Sequence, residues 1–501
     1  MNHVSEKQQK SQSRSQPSPE AFRTFIGSGW APRSDQLPAR AEVADYAAKR
    51  RATVSEAFPG ERLVIPAGGL KVRSNDTDYI FRPHSAFAHL TGLGADREPD
   101  AVLVLEPAAD GGHDAVLFFR PLAGRDTEEF FADSRYGEFW VGGRPTIEDI
   151  EAELGIAARH IDEFADSVAK DAGEIGVRVV RDADPDVTTA VEQARTSETE
   201  TAGAVEQRTE ADEELARFLS TMRLAKDAWE IEQMRQAIAA TAEGFEAVLA
   251  QLAEAVRRGR GERWVEGVFG LHARHRGNGV GYESIAAAGD HANTLHWIKN
   301  TGDVHEGDLV LVDAGVEVDS LYTADITRTV PVDGTYTDAQ RTVYEAVYAA
   351  QQAGIAAVKP GNKFSDVHAA AIRVIAEHLY EWGLLPEGVD VEATLDKDTG
   401  QFHRRWMVHG TSHHLGLDVH DCALALREDY TDGELRPGMI LTVEPGLYFK
   451  ADDELVPEEL RGIGVRIEDD VLVTDTGHEV LSSAIPSELA EVEAWIARAR
   501  G

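Results

Sequence analysis

The chain has 501 residues, 42% of them apolar and 7% aromatic, which makes it too long for one ordinary domain and too apolar for global disorder. Its 50 basic and 88 acidic residues leave a formal charge of −38, a field that repels phosphate backbones and anionic membrane and disfavours a nucleic-acid binder. A single cysteine, Cys422, excludes an intramolecular disulfide framework and a cysteine-rich zinc site; with no apolar stretch near the start of the chain, it points to a reducing, cytoplasmic compartment.

Residues 1–20, rich in Ser, Gln and Lys with two prolines, predict a disordered tail. The pattern over 36–58 predicts a helix. Short apolar runs, Arg62 to Pro66, Ala101 to Leu105 and Ala115 to Phe119, predict strands, and helical patterns return at 147–155 and 161–172. This alternation implies a mixed α/β amino-terminal domain over 36–190. The stretch 185–220 is polar, acidic and poor in large apolar side chains, so a linker helix is expected at 191–222. From Trp229 to Leu252, the residues Ile231, Met234, Ile238, Phe245 and Leu249 recur at helical spacing and predict an amphipathic helix opening a second domain, 223–501. Its strand candidates are 308–315, 439–448 and 464–474. No run of 18 apolar residues occurs, so no membrane-spanning helix is expected.

Each of these three strands carries an acid within a β-branched run, where an unpaired carboxylate is expensive to bury. Period two places Asp313 on the face of Leu309 and Leu311, Glu444 on that of Thr442, and Glu468 on that of Arg466. Asp325 follows Asp313 by twelve residues, a distance that suits two adjacent strands joined by a turn around Val318 to Tyr322. The segment MVHGTSHHLGLDVHD (407–421) adds His409, His413, His414 and His420, four of the chain's 18 histidines. Together Asp313, Asp325, His413, Glu444 and Glu468 form a hard, oxygen-rich donor set that suits manganese or cobalt, with iron or zinc as alternatives. Two divalent ions would balance the four carboxylates, which would otherwise repel one another. No HExxH pair, Walker loop, dinucleotide fingerprint or G-x-S-x-G elbow occurs.

In order along the chain, MRLAKDAWEIEQMRQA (222–237), LHWIKNTGDVHEGDLVLVDAGVE (295–317), ADITRTVPVDG (324–334), HGTSHHLGLDVHD (409–421), TVEPGLY (442–448) and RGIGVRIEDDVLVT (461–474) resemble aminopeptidase P, the Xaa-Pro aminopeptidase of the pita-bread metallopeptidases. YIFRPHSAFAHLTGL (79–93) is similar to that family's amino-terminal domain. The resemblance implies an α/β (α+β) fold, a mixed amino-terminal domain followed by a pseudo-symmetric pita-bread catalytic domain. It implies a di-metal enzyme, with Mn2+ the expected ion, that releases the first residue of peptides with proline second. By the same resemblance, Asp313 serves one metal, Asp325 and Glu468 bridge, and His413 and Glu444 serve the other. His296 and His420 would flank the scissile bond as donors to the developing charge. Glu444 would also shuttle a proton from water to the leaving proline nitrogen. His409, Tyr448 and Arg466 would shape the proline pocket, with Tyr282 near the substrate amine. A homo-oligomer, dimer or tetramer, is implied as well.

Two departures from the family pattern stand out. The Asp313–Asp325 spacing is one residue longer than usual, an insertion expected in the turn. The connection 386–405 is longer as well and is expected as a flap near the entrance. The alternatives are a prolidase restricted to Xaa-Pro dipeptides, which shares the five ligands, and a non-catalytic pita-bread binding protein, which would be expected to have lost some of them.

Overall fold

The structure, a computed structural model, describes residues 18–109, 111–196 and 201–501. The expected tail thus lies outside the described residues as far as residue 17, and Glu20 already opens a short helix, Glu20–Gly27. The chain divides into two compact units, 1–216 and 217–501.

In the first unit, helix α1 spans Val43–Ala57 and buries Val43, Ala44, Ala47 and Val54. It starts later than the pattern over 36–58 suggests, with Glu42 at its N-cap. The three apolar runs form three strands of a five-stranded sheet, and two strands that were not expected, at 157–160 and 177–179, complete it. Its strands are β1 (Arg62–Pro66), β2 (Val102–Pro107), β3 (His113–Phe119), β4 (Ala157–His160) and β5 (Val177–Val179), in the order β4-β3-β2-β1-β5. β1–β2 and β2–β3 are antiparallel; β3–β4 and β1–β5 are parallel. Val64, Val104, Phe118 and Val179 pack there with Phe164, Val168 and Val191. Val191 belongs to the segment read as linker, yet it is fully buried: the helix Pro185–Arg195 covers the sheet. Helix α2 (Ala202–Thr221) carries the chain across the boundary between the units.

The second unit repeats one pattern twice: a pair of helices, then a small antiparallel sheet. Its first half contains α3 (Ala228–Ala250), α4 (Gly261–Arg276), β6 (Ile285–Ala288), β7 (Leu309–Ala314) and β8 (Ile326–Pro331), with sheet order β8-β7-β6. Asp227 caps α3 and Glu230 returns the bond to its backbone, which fixes the helix start. The second half contains α5 (Asp338–Ala357), α6 (Phe364–Glu381), β9 (Ile440–Val443), β10 (Gly446–Tyr448), β11 (Gly464–Arg466), β12 (Asp469–Val473) and β13 (His478–Val480). The chain ends in α7 (Leu489–Arg500). This is the expected α/β (α+β) architecture.

The strands expected over 439–448 and 464–474 are each broken in the middle. β9 pairs with β12, and β10 pairs with β11, but Glu444–Pro445 and Ile467–Glu468 lie between the two ladders. Pro445 has no N–H to donate. The Glu444 N–H turns to the Thr411 carbonyl (2.9 Å), and the Glu468 N–H to the Thr327 carbonyl (3.1 Å). The long connection is packed rather than loose. Val391–Leu395 forms a short helix, Phe402–Arg405 a 3-10 turn, and Thr394 and His403 are buried between them. Among the described residues, no helix is long and apolar enough to cross a membrane.

Candidate active site

Asp313 lies on β7, and the ladder to β8 runs without a bulge from Leu309↔Pro331 to Ala314↔Ile326. Asp325 immediately precedes β8, so register alone sets the two aspartates at one end of the same strand pair. The residues between the two aspartates close through a turn. Val318 N–H bonds Tyr322 O, Leu321 N–H bonds Val318 O, and Leu321 adopts a φ of +75°. Gly315 is required beside it, since a Cβ there would collide with the Ala324 carbonyl oxygen.

Asp325, His413 and Glu468 converge: one donor atom from each lies within 4.8 Å of the others. His413 Nε2 is 3.2 Å from Asp325 Oδ2 and 3.8 Å from Glu444 Oε1. The Tyr282 hydroxyl lies 2.7 Å from Asp313 Oδ1 and 2.5 Å from Asp325 Oδ1. All five expected ligands therefore belong to one connected group. Asp313, Asp325 and Glu468 are buried, and Glu444 and His413 are half-buried.

Burial and the neighbouring carboxylates push Asp325 and Glu468 above the usual carboxylate range. Burial raises Glu444 to about 7 against the opposing pull of His413 and Arg466. Burial would lower His413, but Asp325 overrides it and raises the imidazole to about 9. Crowded acids of which Asp325, Glu444 and Glu468 resist ionisation fit a site completed by cations, and oxygen donors with one imidazole fit hard or borderline divalent ions. The supporting contacts orient the donors. The Thr327 hydroxyl donates to Glu468 Oε2 (2.6 Å), and the His413 N–H donates to Thr442 Oγ1 (3.1 Å). His413 Nδ1 lies 3.2 Å from its neighbour's carbonyl, which turns Nε2 toward the acids.

The pocket residues form a chain of contacts leading to the ligands. His409 Nε2 is 2.7 Å from the Tyr448 hydroxyl, which also accepts from Arg466 (3.2 Å). Arg466 in turn bonds the Asp313 carboxylate. Burial and Arg466 lower His409 to about 4, so its ring is neutral at pH 7; burial raises Tyr448 to about 12. His420 is exposed and meets the His413 ring edge-on, centroids 4.4 Å apart. His296, also exposed, joins less directly, through its electrostatic effect on His420. His414 stays outside the donor group, buried and stacked on Phe364.

Sequence reasoning passed over Arg328 on β8. It is fully buried, and it donates to the Glu468 carbonyl (2.6 Å) and to Asp469 Oδ1 (2.7 Å). The signal was available, since Arg328 interrupts a β-branched strand just as the acids do.

Residues 232–475 match the model of metallopeptidase family M24, and residues 46–177 match that of the aminopeptidase P N-terminal domain. The chain is 50% identical over 477 residues to a Streptomyces coelicolor protein named Xaa-Pro aminopeptidase 2, covering 95% of this chain and 96% of that one. It is 34% identical over 472 residues to the Xaa-Pro aminopeptidase of Escherichia coli, covering 91% and 98%. Among solved structures, a variant of Escherichia coli aminopeptidase P in complex with substrate aligns with a TM-score of 0.77 at 30% identity, covering 93% of this chain and 100% of that one.

Proposed function

The chain belongs to metallopeptidase family M24 and carries the aminopeptidase P N-terminal domain, and from that membership we propose a di-metal aminopeptidase that hydrolyses the Xaa-Pro bond and releases the first residue. The observation that carries this reading is the meeting of Asp325, His413 and Glu468, with Asp313 and Glu444 alongside. Those five residues would hold two divalent ions, manganese in this proposal because the donors are mainly hard carboxylates. When bound, the ions supply the water activation and carbonyl polarisation that peptide hydrolysis needs.

The chain's own groups do the rest. Glu444 takes the proton that water loses as its oxygen bonds the carbonyl carbon. As the C–N bond breaks, Glu444 passes that proton to the prolyl nitrogen. His296 and His420 donate hydrogen bonds to the carbonyl oxygen as it gains charge. Neutral His409, with Tyr448 and Arg466, walls the proline ring, and Tyr282 sits near the substrate amine. The same proposal includes a homo-oligomer, dimer or tetramer, and a cytoplasmic location, with which one buried thiol is consistent.

The test is hydrolysis of Arg-Pro-Pro, Ala-Pro and Arg-Ala-Ala by metal-stripped protein reloaded with manganese. Cleavage of Arg-Pro-Pro far faster than the other two is expected. Preference for Ala-Pro would make the protein a prolidase. No turnover with metal bound would support a binding protein instead. Glu444→Ala should abolish turnover with the fold intact, and a fully active variant would remove Glu444 from the chemistry.

A further inference from the structure

His296 lies on the segment between β6 and β7, which has little regular structure beyond the short 3-10 turn Gly289–Asn293. Something must hold this segment still if an exposed imidazole is to meet a reacting carbonyl. One buried carboxylate does so from four directions. Glu262, in the first turn of α4, is fully buried. Its Oε1 accepts from the Ala288 N–H (2.9 Å) and lies 2.7 Å from His291 Nδ1. Its Oε2 accepts from the Trp297 indole (2.8 Å) and from the Gly302 N–H. Both ends of the segment and two side chains within it thus converge on one residue. The His291 ring stacks on Trp297 with centroids 4.0 Å apart, locking those two donors together. Gly302 completes the fit, because a Cβ there would meet the His291 ring at 2.7 Å and Glu262 Cδ at 2.8 Å.

This arrangement exceeds what a loop anchor needs. A buried carboxylate is costly unless its lone pairs are filled, and here each oxygen has two partners. The helix start adds a favourable field. Trp297, immediately after His296, is the rigid arm between the anchor and the imidazole. We infer that Glu262 is a positioning residue for His296, acting through Trp297 and the Ala288–Gly302 segment. The inference rests on the role proposed above for His296.

A cycle of variants tests it. Glu262→Gln keeps the shape but replaces one accepting oxygen by an amide NH2, so at least the Ala288 N–H, or else the Trp297 and Gly302 N–H groups, lose their acceptor and the segment must shift. Displacing a reacting group by about 1 Å can cost roughly a hundredfold. Glu262→Gln is therefore expected to lower kcat on Arg-Pro-Pro by roughly tenfold or more, with KM and bound manganese close to the parent's. In the His296→Ala background the same change should cost less than about twofold, since residues acting through one another are not additive. Equal losses in both backgrounds would overturn the inference and leave Glu262 a general structural residue. If His296→Ala alone leaves kcat unchanged, the role given to His296 falls and the inference falls with it, an outcome distinct from additivity. Should Glu262→Gln fail to fold, Trp297→Phe removes one donor and keeps the stack. The same cycle then applies, with a loss of about threefold expected in the parent and none in His296→Ala; losses equal in the two backgrounds would again overturn it.

Discussion

Arg328 offers five N–H groups and finds five acceptors. They are the carbonyls of Thr327, Glu468, Ile485 and Pro486, and Asp469 Oδ1. Ser482 and Gln351 complete the Asp469 carboxylate. Removing one partner of a buried pair costs about 3–5 kcal/mol, so Arg328→Met should lose about that much in denaturant unfolding. Arg328→Lys should recover little, because a three-donor point charge cannot replace the fork; a loss under about 1 kcal/mol would show that the network is dispensable. Asp421 makes the matching argument next to His420. Burial would raise its carboxyl, but Arg223 and Lys226 override that and hold it at about 2, below the usual 3.8. A depressed folded pKa means the folded state binds fewer protons there. Its contribution, roughly 2 kcal/mol, is therefore present above about pH 4 and lost as pH falls toward 2. Unfolding free energy measured between about pH 5 and pH 2 should fall more steeply for the parent than for Asp421→Asn; parallel curves would refute the assignment. Asp313, Glu444 and Glu468 were legible because acids interrupt β-branched runs, Asp325 because of its twelve-residue spacing from Asp313, and His413 because histidines cluster in 407–421. Glu262 was not, since its partners are 26 to 40 residues away and half of them are backbone N–H groups.

At the scale of the element, apolar runs and helical spacing marked where strands and helices stand, but not where a strand changes partner. Period two describes one strand on its own. The breaks at Glu444–Pro445 and Ile467–Glu468 arise from other segments, Thr411 and Thr327, capturing the backbone. The breaks matter for the site, because a carboxylate between two ladders is freed from the alternation of the strand. The turn between β7 and β8 works the opposite way. The unbroken ladder fixes Asp313 opposite Thr327, so turn length should not move Asp325. Deleting Asp319, exposed at the tip, should leave bound manganese and kcat within about threefold of the parent. Loss of metal from that variant would mean that the turn, rather than the ladder, sets the spacing of the two aspartates.

For the whole molecule, the charge of −38 is the one property that no single contact reports. It disfavours nucleic-acid partners on sequence grounds, and it also bears on the substrate. An aminopeptidase takes its substrate by the free amino end, which is positive at neutral pH, so the field favours encounter with that end. The size of this effect depends on the rest of the peptide. Arg-Pro-Pro amide carries two positive charges, whereas Glu-Pro-Pro carries a net negative one. At about 10 mM salt the Debye length is about 30 Å and the field reaches well beyond the surface; at about 1 M it shrinks to about 3 Å. Raising salt across that range should lower kcat/KM for Arg-Pro-Pro amide by roughly tenfold and raise it for Glu-Pro-Pro. The change should sit in kcat/KM and leave kcat nearly constant, because steering acts on encounter and not on the bound complex. If both peptides respond alike, the charge serves the surface of the protein and not its substrate; if they converge at high salt, the acidic composition is part of how the enzyme meets cationic peptides.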